Sequence, residues 1–194
     1  CIRDRLLNVR PKASLKIGGP DRLIGYEQQL QKLESSLTNH QTKLVIIKGA
    51  AGMGKSRLTH EAIKKLPYSI ICSLDPSGEN TPGYGIMTVA EQILEQIRRT
   101  DGLENSPACV ALSDYDRLSQ MEKIKIAQKT PQEIIQLCKN AIRLMNNGAI
   151  PFVLDDLHHT DRFSMGPLLN LMDYHLNHNE GKSIVLLRPE EILT

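Results

Sequence analysis

Residues 49–56 constrain the fold of this chain more than any other stretch, because they join closely spaced glycines to a lysine and a serine. The segment Gly49-Ala50-Ala51-Gly52-Met53-Gly54-Lys55-Ser56 fits the pattern G-x-x-x-x-G-K-[ST]. The run before it, Lys43 to Lys48, is short and β-branched, which predicts a buried parallel strand. Residues 56–66 carry apolar side chains at helical spacing. The sequence therefore predicts a strand, a glycine-rich turn and a helix in immediate succession.

Such a turn is suited to binding phosphate. Glycines allow successive backbone N–H groups to point into one concavity, and the helix N-terminus adds a partial positive charge. We expect Lys55 to reach the β- and γ-phosphates and the Ser56 hydroxyl to ligate Mg²⁺. The alternative is a glycine turn with an incidental lysine. We predict that a nucleoside triphosphate is bound by a continuous set of residues: Gly49, Ala50, Ala51, Gly52, Met53, Gly54, Lys55, Ser56 and Arg57.

Length and charge limit the classes of protein that remain. The chain has 194 residues, enough for one domain, and its 24 Lys+Arg against 22 Asp+Glu leave a net charge of +2. That balance argues against direct nucleic-acid binding. Residues 1–22, with six basic and two acidic residues, are predicted to be a linker from an upstream region, and residues 23–194 the folded core. The chain lacks a run of 18 apolar residues, so we expect no membrane span.

The four cysteines are scattered through the sequence, without the spacing of a C-x-x-C motif. Cys72 and Cys138 fall within apolar patterns, so we expect both to be buried thiols. A reduced, cytoplasmic setting is therefore predicted.

Further strands and helices alternate along the rest of the chain. Apolar runs predict three more strands at 69–74, 150–155 and 183–187. Helical spacing predicts helices at 23–37, 84–99, 116–128, 131–145 and 161–178, the last kinked or delayed by Gly166-Pro167. Residues 100–116 are polar and are expected to form a surface excursion without regular structure. This alternation predicts an α/β fold with a parallel sheet covered on both faces.

The strand at 150–155 ends in two acidic residues, Asp155 and Asp156. If this strand lies beside the strand of the phosphate loop, its carboxyl end is where a nucleotide-bound Mg²⁺ is held. We assign Asp155 to the metal, directly or through water, and Asp156 to polarising the water that attacks the γ-phosphate. The alternative is a strand that merely ends in a polar, helix-capping pair.

Four stretches resemble one known family. Asp155-Asp156-Leu157-His158-His159-Thr160-Asp161 resembles the D-D-L-H-W-A-D segment of AAA-type ATPase domains in the signal-transduction class called STAND. Leu23-Ile24-Gly25-Tyr26-Glu27 is similar to the opening h-h-G-R-E-x-E motif of that class, and Thr81-Pro82-Gly83-Tyr84-Gly85 to its P-Y-x-P turn. Leu186-Leu187-Arg188-Pro189-Glu190-Glu191 resembles its T-x-R-P-E-E strand ending. The resemblance spans residues 23–191.

This resemblance implies a P-loop NTPase of the ASCE division: a three-layer sandwich with a mostly parallel sheet, here truncated before the family's C-terminal lid and winged helix. It implies that Arg188 faces the γ-phosphate, with an exposed arginine before a proline turn as the alternative. It also implies that His158 braces the strand end near the attacking water, with a purely structural polar role as the alternative. Gly25 is implied to lie against the adenine.

Besides the Gly166-Pro167 pair, three positions depart from the pattern of the resembled class. Tyr26 replaces an arginine, and His159 replaces a tryptophan. Asp156 stands where many AAA proteins have glutamate, so its carboxylate is one methylene shorter. We expect the shorter side chain to hold water less well, which suits a slow switch better than a motor.

Taken together, these features predict an ATP-binding, slowly hydrolysing regulatory domain, with ATP/ADP and Mg²⁺ as cofactors. Its expected partners are further domains of the same chain and, in the ATP state, other copies of it. Two alternatives stay open: a AAA-type ATPase that loads onto or remodels DNA, and a nucleotide-bound scaffold that does not hydrolyse. A zinc site built from His158, His159, His175 and His178 lacks a cysteine or carboxylate to complete it.

Overall fold

Strands and helices alternate along the chain in a computed structural model that describes residues 25–66, 69–100, 102–103, 105–145, 150–178 and 181–188. The strands are β1 (Leu44–Lys48), β2 (Ile70–Ser73), β3 (Pro151–Asp155) and β4 (Lys182–Leu187). The α-helices are α1 (Glu27–Thr38), α2 (Lys55–Ile63), α3 (Tyr84–Arg98), α4 (Pro107–Asp116), α5 (Gln120–Lys129), α6 (Pro131–Met145) and α7 (Arg162–His178). Short 3₁₀ helices form at Pro76–Gly78 and Leu157–His159. The linker predicted at 1–22 lies outside the described residues.

The four strands form one parallel sheet in the order β1-β4-β3-β2. The expectation that the acidic strand lies directly beside the loop strand is therefore wrong, because β4 pairs with both β1 and β3. Because the strands are parallel, the carboxyl ends of all four nevertheless lie at the same edge of the sheet, where the loops that follow the strands begin. The phosphate loop and the acidic pair meet at this edge with the end of β4 between them.

Side chains alternate between the two faces of the sheet, so each face has its own apolar cluster beneath a layer of helices. Val153, Ile184 and Leu186 pack with α1 and α2 on one face of the sheet. Phe152 and Leu154 point to the other face and pack with the larger cluster formed by α3 to α7. This arrangement confirms the α/β fold with a mostly parallel sheet between two helical layers.

β1 differs from the fully buried strand that its apolar sequence predicts. Val45 and Ile47 pack against the α1–α2 cluster, but Leu44 and Ile46 on the opposite face are 39% and 49% exposed. The reason is position, because β1 lies at the edge of the described sheet and the helices of the larger cluster pack over the other strands.

Residues 107–116 form a helix, so the expectation of an irregular excursion across 100–116 is wrong there. Ser106 caps α4 by accepting a hydrogen bond from the Cys109 N–H, and Pro107 occupies the first turn. Leu112 and Tyr115 are buried on its inner face. These apolar residues, three apart, were sufficient for a helix once a neighbouring surface was present to bury them.

The helix predicted at 161–178 is not delayed by Gly166-Pro167, because α7 already begins at Arg162 and continues through Pro167. Pro167 removes the N–H that would reach the Phe163 carbonyl, but this loss falls near the start of the helix, where Phe163 is 40% exposed.

The predicted burial of Cys72 and Cys138 is confirmed, and Cys109 is buried with them. Among the described helices, none is long and apolar enough to cross a membrane.

Candidate functional site

The phosphate loop connects β1 to α2 through backbone conformations that glycine adopts readily. Gly52 and Gly54 both have φ of +74°, in the left-handed region. Between them, the Met53 N–H donates to the Ala50 carbonyl at 3.4 Å and closes the turn. A Cβ added at Gly52 or Gly54 would meet no atom within 4 Å, so backbone geometry rather than crowding requires glycine here.

The first turn of α2 leaves backbone donors available at the loop. The Leu58 N–H bonds to the Gly54 carbonyl at 2.8 Å and starts the helix. The N–H groups of Gly54, Lys55 and Ser56 donate to no backbone oxygen among the described residues. Since these groups lie at the positive end of the helix dipole, they form a site for an anion.

The side chain of Lys55 lies over the start of this loop. Its Nζ donates to the Gly49 carbonyl at 2.8 Å and to the Ala50 carbonyl at 3.1 Å. The ammonium is thus held beside the amide concavity by neutral carbonyl oxygens. Negatively charged phosphate oxygens can replace these acceptors, because hydrogen bonds between two charged groups are stronger.

The end of β4 brings Arg188 next to the loop. Lys48 pairs with Leu187 in the sheet, and the Gly49 N–H donates to the Leu187 carbonyl at 3.3 Å. Arg188 follows directly, and its Nε lies 3.9 Å from Oδ1 of Asp156. The predicted sensor arginine, the phosphate loop and the second acidic residue are therefore assembled by β4.

Asp155 ends β3 as a buried carboxylate, 8% exposed. Its backbone oxygen accepts from the Leu74 N–H at 3.1 Å, but its Oδ1 has no hydrogen-bond partner among the described residues. Its negative charge also acts on His60 of α2, where it opposes the lowering of the imidazole pKa that burial causes. A buried carboxylate oxygen without a donor, on the strand end that faces α2, fits the ligand shell of a hard divalent cation.

Asp156 has φ of +54° and is the only described non-glycine residue with a positive φ. This left-handed conformation turns the chain into the 3₁₀ helix that follows. The Asp156 carboxylate is partly exposed, and its Oδ1 lies 3.8 Å from His158 Nε2 as well as close to Arg188. The acidic residue proposed to polarise water thus lies between a cation and an imidazole.

Gly25 lies at the beginning of α1 with φ of +83°, and its N–H is 3.3 Å from Oε1 of Glu27. Leu33 of α1 and Leu58 of α2 share one apolar cluster, so the helix after Gly25 packs against the helix after the loop. The described contacts bring Gly25 to this side of the sheet without joining it to the loop itself.

The sequence did not show that Asp161 clamps two segments of the site together. This carboxylate is 3% exposed and accepts three backbone hydrogen bonds, from Gly83 at 3.1 Å, Gly85 at 2.9 Å and Ser164 at 2.9 Å. A Cβ at Gly85 would come within 2.9 Å of the Ser164 Cβ. The turn that opens α3 is therefore fastened to the start of α7. Both segments carry the family resemblance, but nothing in either local sequence indicates that they are in contact.

One of the four histidines considered for a zinc site lies in the protein core. His175 is fully buried, with Nε2 3.0 Å from the Ile150 carbonyl and its ring edge-on to Phe152. Burial lowers its pKa. In the part of the chain that the structure describes, no group of three or more His, Cys, Asp or Glu could hold a metal ion. A Mg²⁺ at Asp155 would accordingly depend on phosphate oxygens and water for much of its coordination.

Comparison with known proteins gives a family match. Residues 22–176 match the protein family described as AAA ATPase domain. The matched range contains the phosphate loop, the acidic pair and Asp161, and it ends within α7 before β4 and Arg188. No curated protein matches the chain.

Proposed function

Because this chain belongs to the AAA ATPase domain family, we propose that it binds ATP with Mg²⁺, hydrolyses it slowly and acts as a regulatory switch in a larger signalling protein. One observation carries the proposal above all. At a single edge of the sheet, the first amide of the phosphate loop donates to the Leu187 carbonyl, and the next residue, Arg188, approaches Asp156 at 3.9 Å. These are the groups needed to bind a triphosphate and to act on its terminal phosphate.

Phosphate binding is assigned to the backbone of the loop and to Lys55. The N–H groups of Gly54, Lys55 and Ser56 point from the N-terminus of α2 towards the β-phosphate, where the helix dipole favours negative charge. Lys55 releases the Gly49 and Ala50 carbonyls and donates to the β- and γ-phosphates instead. Since both ends of this exchange lie within the same loop, it requires only a side-chain movement.

The metal is assigned to the Ser56 hydroxyl and to Asp155, whose Oδ1 lacks a donor among the described residues. A Mg²⁺ held by these two residues would supply positive charge to neutralise the phosphates. Asp155 is held in place by β3, with the Leu74 N–H on its carbonyl. The carboxylate is therefore positioned by the sheet rather than by a flexible loop.

Hydrolysis is assigned to Asp156 and Arg188. Asp156 accepts a proton from a water molecule while the water oxygen attacks the γ-phosphorus in line. The bond from the γ-phosphorus to the bridging oxygen breaks, and that oxygen leaves on ADP. Arg188 donates to the γ-phosphate when it is present and returns towards Asp156 when it is lost, so it distinguishes ATP from ADP. The short aspartate side chain supports a slow turnover.

The regulatory role and membership of the STAND class are supported by the D-D-L-H segment at residues 155–158 and by the ending at Arg188. In this proposal residues 1–22 link an upstream region to the ATPase core, and ATP favours an assembled form of the protein. The balance of 24 basic and 22 acidic residues makes a DNA-loading role less favourable.

The test is calorimetric titration with a slowly hydrolysed ATP analogue and Mg²⁺, followed by phosphate-release kinetics with ATP. Lys55→Ala should abolish binding, whereas Lys64→Ala, an exposed lysine after the same helix, should leave it unchanged. Asp156→Asn should retain binding and lose hydrolysis. Retained ADP without turnover would favour a scaffold, salt-sensitive DNA affinity would favour a remodelling ATPase, and absence of any nucleotide affinity would refute the proposal.

A further inference from the structure

Glu79 and His159 come together from different parts of the chain, and His159 lies three positions after Asp156. Glu79 follows the 3₁₀ helix in the loop between β2 and α3, and His159 ends the 3₁₀ helix after β3. The Glu79 carboxylate contacts Nδ1 of His159, across eighty positions in sequence. The His159 side chain is 10% exposed, whereas Glu79 is 40% exposed. A largely buried imidazole is thus contacted by a carboxylate that is itself exposed at the surface.

This contact determines how the His159 ring is oriented. A carboxylate is only an acceptor, so Nδ1 of His159 carries the proton that is shared with Glu79. The imidazole plane is then set by the position of Glu79, which belongs to an ordered turn. In that turn the Ser77 N–H donates to Asp75 at 2.9 Å, and the Tyr84 hydroxyl donates to Asp75 at 3.2 Å.

The oriented ring packs on His158, the residue beside Asp156. The two imidazole centroids are 4.0 Å apart at 50° between planes. His158 is 5% exposed and presents Nε2 to Asp156 Oδ1 at 3.8 Å. With His159 fixed against one face, His158 has little freedom to turn away from Asp156 in this buried setting.

We propose that Glu79 and His159 are positioning residues for Asp156, acting through the His158 ring on the step that activates water. The inference rests on the proposed function and adds to it that the loop between β2 and α3 controls the rate of hydrolysis but not the affinity for nucleotide. The hydrogen bonds that hold the phosphate loop come from Lys55, Met53 and Leu187, and neither Glu79 nor His159 takes part in them. Loss of Glu79 or His159 should therefore leave phosphate binding intact.

The experiment compares Glu79→Ala, Glu79→Gln, His159→Phe and the Glu79→Ala/His159→Phe double variant by Mg-ATP affinity and single-turnover hydrolysis. Glu79→Ala and His159→Phe should each slow the hydrolytic step on the order of tenfold, because a displaced catalytic group costs rate without costing binding. The double variant should be no slower than the worse single one, since the residues act as a pair. Glu79→Gln keeps an oxygen acceptor for Nδ1–H and should recover most of the rate. Glu95→Ala, an exposed glutamate on α3, is the matched control.

A second measurement does not depend on turnover. Long-range ¹H–¹⁵N spectra of the histidine rings should show a proton on Nδ1 of His159 in the wild type and altered His158 resonances in Glu79→Ala. If Asp156→Asn still hydrolyses ATP at the wild-type rate, the proposed function fails. If Asp156→Asn is inactive while Glu79→Ala keeps the full rate, or if affinity and rate fall together, this inference alone is overturned. An unprotonated Nδ1 on neutral His159 would overturn it as well.

Discussion

Replacing Asp161 with alanine should destabilise the folded protein by about 3–5 kcal/mol. The carboxylate is almost completely buried and accepts from the N–H groups of Gly83, Gly85 and Ser164, at 2.9 to 3.1 Å. These donors belong to the start of α3 and the first turn of α7, so the substitution releases both segments at once. The amides of Gly83 and Gly85 have no other backbone acceptor among the described residues, whereas the Ser164 N–H also donates to the Asp161 backbone carbonyl at 3.1 Å.

The magnitude follows from the hydrogen bonds that are lost. A hydrogen bond to a charged group contributes about 1.5–3 kcal/mol net, so three of them set an upper limit of about 5–9 kcal/mol. The three bonds share one carboxylate and are not additive, and water can enter the vacated space, which reduces the expected loss to about 3–5 kcal/mol. For a domain of this size that loss lowers Tm by about 10 °C. Asp161→Asn keeps one oxygen but directs an NH₂ group at a donor, so its cost should be intermediate, about 2 kcal/mol.

Urea unfolding followed by circular dichroism measures these differences at equilibrium. Asp173→Asn is the control, since Asp173 is an exposed acid on the same helix that accepts from Asn177 at 2.8 Å. It should change stability by no more than about 0.5 kcal/mol. An Asp161→Ala protein within about 1 kcal/mol of the wild type, or an Asp161→Asn protein of wild-type stability, would refute the clamp.

Three further predictions concern the loop, the buried histidines and the thiols. Gly54→Ala should cost about 1–2 kcal/mol through its left-handed backbone and weaken Mg-ATP binding in calorimetry, whereas Gly166→Ala within α7, where the added methyl meets no atom, should raise Tm slightly. Burial lowers the pKa values of His175 and His60, so their contribution to stability is complete above about pH 6.5 and is lost as pH falls from there towards the folded pKa values. Chemical unfolding should therefore give a lower free energy of unfolding at pH 5 than at pH 7.5. His175→Gln should reduce that difference. In a Cys1→Ser variant, Ellman's reagent should react only after denaturation, because the remaining thiols are buried and burial raises the pKa of Cys138 to about 12; rapid reaction of the native variant would contradict this burial.

Local patterns predicted most of the individual elements. The strand at 151–155, the helix at 131–145 and the glycine loop each occupy a continuous window whose spacing or composition carries the signal. The missed helix α4 shows the limit of such windows. Its cap at Ser106 and its proline at 107 were present, but the helix gains stability only from burying Leu112 and Tyr115 against other helices.

Pairing between strands was not predictable in the same way. A run such as 183–187 shows that a strand forms, but nothing local shows that β4 lies between β1 and β3. Parallel partners are distant in sequence, and each of these strands is apolar enough to occupy an interior position. The exposure of Ile46 and the approach of Arg188 to Asp156 both depend on that strand order.

The sequence by itself determined the phosphate loop, because an anion site built from consecutive amides needs only the conformations of eight adjacent residues. It also determined that an acidic pair ends a buried strand. Only the tertiary structure decided which groups surround that pair: β4 brings Arg188, and the turns at Glu79 and Gly83 bring a carboxylate to His159 and amides to Asp161. The physical reason is that these contacts join residues far apart in the chain, and their free energy exists only after the sheet and its helical layers have packed.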